Sequence, residues 1–241
     1  MALLALLGIS AFGVVSFVVG LRLVLLSRRT GLLPERLIGV SLFLAGGLGT
    51  ALLVAASFAG EARWLVTTIS VLMINLGVVA LGVFNWRVFR PTLFGATLVA
   101  ACIALLFLSM IVDRLAGEYL GASRGVFSIT VDYAGRLILY GWATYESLRQ
   151  YALARRRVRI GLTEPLVANR FLLWGIGTSA ALGIWLHAFW SELLRRPDPT
   201  ETYLVITALG SACALAIWLA FFPPRAYRAW FADPSSALSA P

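Results

Sequence analysis

The 241 residues include no lysine, one histidine and two cysteines, and each scarcity closes a class of function. Without lysine there is no amine for a retinal Schiff base, so a light-driven seven-helix protein is excluded. With His187 alone, zinc sites built from several histidines and bis-histidine haem sites cannot form within one chain. No cofactor is therefore expected. Cys102 and Cys213 each fall near the middle of an apolar run, where small packing thiols fit better than a disulfide. Charge is scarce as well. Only 13% of residues are charged, against roughly 25% in a soluble domain. There is no Gly-x-Ser-x-Gly elbow for a serine hydrolase. The glycine-rich "AGGLG" at 45–49 lacks the preceding strand and following lysine of a phosphate loop.

What is abundant is apolar. Hydrophobic residues make up 60% of the chain, and the mean hydropathy is +0.89. Seven apolar segments, at 2–26, 36–58, 64–84, 92–112, 125–148, 169–192 and 202–222, each approach the ~20 residues that cross a bilayer. The expected fold is an all-α integral membrane protein, a single seven-transmembrane-helix bundle followed by a short tail at 223–241. The first segment resembles a signal peptide only in being apolar. "MALLALLG" carries no positive side chain, and Arg22, Arg28 and Arg29 come late in the segment or after it, which is the layout of an uncleaved helix.

All 20 basic residues are arginines, and the formal charge is +9. In a soluble chain a pI of about 10.5 would suggest nucleic acid. Here the arginines sit between apolar runs and set orientation instead, so no nucleic-acid partner is expected. Thirteen fall in the connections after segments 1, 3 and 5 and in the tail, five in the opposite connections, and Arg22 and Arg136 lie within segments. The richer side marks the cytoplasm, giving N-terminus outside and C-terminus inside. The longest connection, "RQYALARRRVRIGLTEP" at 149–165, is expected to extend helix 5 inward and turn between Gly161 and Pro165. Arg155, Arg156, Arg157 and Arg159 on it could bind acidic headgroups or a protein partner, or serve only as a topological anchor. "RTGLLPE" after segment 1 echoes "RIGLTEP" after segment 5, as a three-helix repeat or shared turn chemistry would. Small-x-x-x-small pairs at Ser16–Gly20, Ala45–Gly49, Gly177–Ala181 and Ser179–Gly183 suit close helix contacts.

Segment 5 breaks the apolar pattern with "TVDYAGRLILYG" at 130–141. Asp132 and Arg136, four apart, share a helix face and can pair. Tyr140 and Ser128 continue that stripe, and Tyr133 flanks it. A charge at mid-bilayer costs about 2.5–3.5 kcal/mol on insertion scales, so the stripe should face the bundle interior. At ~1.5 Å per residue, Asp132 lies roughly 10 Å and Arg136 roughly 16 Å from the outer boundary. By the same count Trp185, His187 and Asn75 fall in the outer or middle region. Together with Tyr133 and Tyr140 they form the expected small-molecule or lipid site, lining a cavity open to the outside. The alternatives are a structural ion pair, aromatic core filling, and a histidine held at a helix end.

"RRRVRIGLTEPLVANRFLLWG" at 155–175 resembles a segment of a family of bacterial seven-helix inner-membrane proteins, which implies a multi-pass location in that membrane but no activity. In layout the chain also resembles receptors and SWEET-type sugar transporters, though the Pro-Gln pairs of the latter are absent. The expected function is a receptor-like module that recognises a small molecule or lipid from outside and signals through a partner, with no residue pattern that specifies catalysis. A small-solute transporter is the first alternative and a structural subunit the second. The orientation predicts that a cysteine at position 60 is labelled from outside, and one at position 157 only after permeabilisation. The reverse pattern would overturn it.

Overall fold

In the computed structural model, which describes residues 2–115, 125–195 and 199–231, every regular element is helical. Seven long helices follow in order: α1 (Ala2–Thr30), α2 (Leu33–Ala56), α3 (Arg63–Phe84, continued by a π-helical turn at Asn85–Phe89), α4 (Leu93–Leu115), α5 (Val126–Arg159), α6 (Pro165–Leu193) and α7 (Pro199–Phe221). A five-residue helix, α8 (Arg225–Ala229), ends the described part. The tail beyond 231 and the charges Glu118, Arg124 and Asp198 lie outside the described residues.

Six of the seven are long and apolar enough to cross a membrane. The exception is α5, whose 34 residues include the buried charges and an arginine-rich end. Large apolar side chains such as Leu93, Phe94, Phe127 and Leu215 are exposed on the outside of the bundle, as lipid-facing surface requires.

Helix ends run a few residues past the apolar runs, because backbone hydrogen bonding continues wherever a stop signal is missing. The stops are chemical. Beyond Arg159, Gly161 adopts φ +73°, its N–H donates to the Val158 carbonyl, and that of Leu162 donates to Arg157 at 2.9 Å. This is a Schellman closure that needs glycine. Gly31, at φ +71°, ends α1 in the same left-handed conformation. Pro34 and Pro165 then stand in the first turns of α2 and α6, where their missing N–H costs nothing. Turn chemistry thus accounts for the likeness of the two segments after α1 and α5.

Consecutive helices pack side by side, and α1 meets α7 to close the ring. Two apolar cores share α3 and α5. One gathers Leu81, Phe84, Ala143, Trp174 and Ile217, and the other Ile74, Val78, Cys102, Leu106 and Leu139. Close approach at α2 explains its glycines, three of which (Gly46, Gly47 and Gly49) sit in a π-helical stretch at Leu42–Gly49. A Cβ on Gly20 of α1 would stand 2.5 Å from the Phe43 backbone nitrogen. One on Gly77 of α3 would stand 2.5 Å from that of Ala45. In both cases the obstacle is backbone, which cannot swing away. Gly77→Val should therefore destabilise the protein by about 1–3 kcal/mol in denaturant unfolding of the reconstituted chain. Gly141→Val is the control, since nothing lies within 4 Å of its added Cβ, and it should change stability far less.

Candidate functional site

The buried face of α5 carries Ser128, Asp132, Arg136, Leu139, Ala143 and Glu146, a spacing of three and four that keeps one stripe toward the bundle axis. Arg136 is 3% exposed. Its Nη1 meets Asp132 Oδ1 at 2.8 Å and also donates to the Asp132 carbonyl. The second terminal nitrogen, Nη2, reaches across to α3 and donates to Asn75 Oδ1 at 2.9 Å. Asn75 in turn donates its Nδ2 to the Leu106 carbonyl of α4. From α4, the Ser109 hydroxyl lies 3.2 Å from Asp132 Oδ1 and 2.9 Å from the Leu106 carbonyl. The guanidinium carbon sits 4.8 Å from the Trp185 ring centroid, adding α6 through a cation–π contact. Three helices meet at one guanidinium, and α4 supports two of its partners.

Tyr133 extends the cluster along α6. Its hydroxyl donates to Glu192 at 3.0 Å, and its ring packs against Trp185 and Phe189. Tyr140 is half-buried and interacts with the Trp185 side chain. Asn75, Asp132, Tyr133, Arg136, Tyr140 and Trp185 are thus brought together, while His187 stands apart. Its Nε2 lies 3.2 Å from Thr202 Oγ1 and 3.4 Å from Ser191 Oγ, so it ties α6 to α7. Equal depth grouped it with the others, but depth does not determine which side of a helix a residue occupies. The Arg136 Nε is buried with no hydrogen-bond partner among the described residues.

A second buried charge, Glu146, lies about 15 Å further along α5. It is 1% exposed; its Oε1 accepts from Arg90 Nε at 2.6 Å and its Oε2 from Arg149 Nη1 at 3.1 Å. The π-helical turn at the end of α3 brings Arg90 there, with the Arg90 N–H closing on the Asn85 carbonyl. The hydrogen bond to Glu146, and then that carboxylate's charge, push the Arg90 pKa above its ordinary value. From the sequence alone Arg90 and Arg149 stand only as orienting charges, and Glu146 has no assigned role. The signal was there as an i,i+3 pair, Glu146–Arg149. Above it, Asn85 donates from α3 to the Leu139 carbonyl of α5. Arg155, Arg156, Arg157 and Arg159 are exposed at the far end of the same helix. Among the described residues, no group of histidine, cysteine or carboxylate side chains could hold a metal ion.

The two charge clusters differ in what removing the acid leaves behind. Asp132→Asn leaves Arg136 buried beside a neutral amide, and the expected loss is about 3–5 kcal/mol. After Glu146→Gln, Arg90 and Arg149 keep side chains more than 40% exposed and can hydrate, so unfolding should show less than half that loss. Equal losses would mean that burial does not set the cost. No known protein family, curated protein or solved structure matches this chain.

Proposed function

We propose that this chain is a seven-span protein of a bacterial inner membrane, of the kind its 155–175 segment resembles. Its N-terminus is outside and its arginine-rich end cytoplasmic. It acts as a receptor-like module. A small molecule or lipid arriving from the outer side engages the Asp132–Arg136 cluster, and α5 carries that event to a partner at Arg155, Arg156, Arg157 and Arg159. The observation that supports this reading is the continuity of α5, one helix from Val126 to Arg159. It holds the buried charges and the exposed arginines on a single rod, roughly 32 Å apart between Arg136 and Arg157. A rearrangement of the charge cluster that shifts or rotates α5 is carried along that rod to the arginines. The unused Arg136 Nε supplies a donor for a ligand oxygen.

A small-solute transporter is the second reading. It is favoured by a chamber of about 30 Å³ lined by Tyr140, Trp174, Thr178 and Cys213, with Tyr140 four residues along α5 from Arg136.

The test separates coupling from anchoring. Replacing Arg155, Arg156, Arg157 and Arg159 by Gln should abolish recovery of the partner from native membranes while insertion and topology stay intact. The folded double variant Asp132→Asn with Arg136→Leu should lose the same partner, although it alters nothing near the arginines. A quadruple variant that fails to insert, or a double variant that keeps the partner, contradicts the receptor reading.

A further inference from the structure

The arginine-rich end of the bundle contains a cleft that the charge cluster does not use. It is formed by the last turns of α1, α3 and α7 and the first turns of α2 and α6, and its volume is about 350 Å³. That falls in the ~300–1,000 Å³ range of small-molecule sites. Its walls are aromatic, with Phe84, Phe89, Phe221 and Phe222 among the lining side chains and Trp174 separating it from the chamber beyond.

Two arginines from different helices, Arg22 and Arg170, line this cleft. Neither meets a carboxylate among the described residues. The Arg22 guanidinium lies over the Phe222 ring at 4.2 Å, which holds the charge at the wall. Arg22 is also eight residues short of the end of α1, about 12 Å along the helix, and both arginine side chains are exposed to a ligand. The single acidic side chain in the lining is Glu35, and its carboxylate already accepts the Thr30 hydroxyl at 2.6 Å. The lining is therefore apolar with a net positive charge.

We propose that this cleft binds an amphipathic organic anion, with its head between Arg22 and Arg170 and its apolar body against the phenylalanines. The charge-assisted contacts orient the head, and burial of the body supplies the apolar contribution. The occupant chemistry, a carboxylate or phosphate on an apolar tail, fits either a headgroup of the adjoining leaflet or a free amphiphile. This site is separate from the Asp132–Arg136 cluster and does not depend on the receptor reading.

The full chain in phosphatidylcholine nanodiscs, titrated with radiolabelled decanoate, tests this. Saturable binding is expected, competed by decyl phosphate and not by decanol. The Arg22→Gln/Arg170→Gln variant should weaken it at least about tenfold, whereas the Arg22→Lys/Arg170→Lys variant should retain most of it. Glu35→Gln should tighten binding a few-fold by removing like charge, an effect that a merely structural role for these residues would not produce. Leu26→Trp, which adds bulk at a lining position, should block binding without touching a charge. Adding phosphatidylglycerol to the discs identifies the source: competition points to a lipid headgroup, and its absence to a free amphiphile. Binding that ignores the arginine pair and Glu35, or that decanol competes as well as decyl phosphate, overturns the proposal.

Discussion

One guanidinium in a low-dielectric interior determines how this bundle has to be arranged. Arg136 cannot face hydrocarbon without a cost of several kcal/mol. It is instead held by Asp132 on its own helix, Asn75 on α3 and the ring of Trp185 on α6. Asn75 and Asp132 engage α4 in turn, through the Leu106 carbonyl and the Ser109 hydroxyl. Because each partner comes from a different helix, satisfying the charge fixes the rotation of α5 and the depth of its neighbours together. The buried charges Asp132 and Arg136 of the least apolar of the seven long helices are therefore covered by α3, α4 and α6.

Close packing makes those reaches short enough. Glycines bring α1, α2 and α3 into backbone contact, which places α3 where Asn75 and Asn85 can both reach α5. Neither core belongs to one helix pair, since α3 and α5 contribute to both. At the arginine-rich end the helices splay around an aromatic cleft with charged residues among its lining. At the charge cluster they converge. The bundle thus offers two different chemistries: an enclosed ion pair deep within it, and an accessible apolar cavity at the arginine-rich end.

Much of this was legible in the sequence. Apolar runs near the bilayer span gave the helices, because length and hydropathy are local properties. The end of α5 was legible because Gly161 and Pro165 act locally, and so was the Asp132–Arg136 pair, whose i,i+4 spacing is helical geometry. What a single sequence could not supply was the partner across the bundle. Asn75 is 61 positions from Arg136, and only the packing of α3 on α5 joins them. Glu146 and Arg90, 56 apart, were missed for the same reason, and the π-helical turn that aims Arg90 has no simple sequence signature. His187 shows the limit of reasoning from depth: the right height on the wrong side of α6, held by Thr202 of α7.

A double-mutant cycle between Asn75 and Arg136 tests most directly whether the cross-helix bond holds α5 in place. Asn75→Leu, Arg136→Leu and the double variant would be unfolded reversibly in the same bilayer mimic. If the Asn75–Arg136 bond is part of one buried network, the single losses should exceed the double by about 1 kcal/mol or more. Losses that add to within roughly 0.3–0.5 kcal/mol would show that the two side chains act independently, and that the Asn75–Arg136 bond does not hold α5 in place.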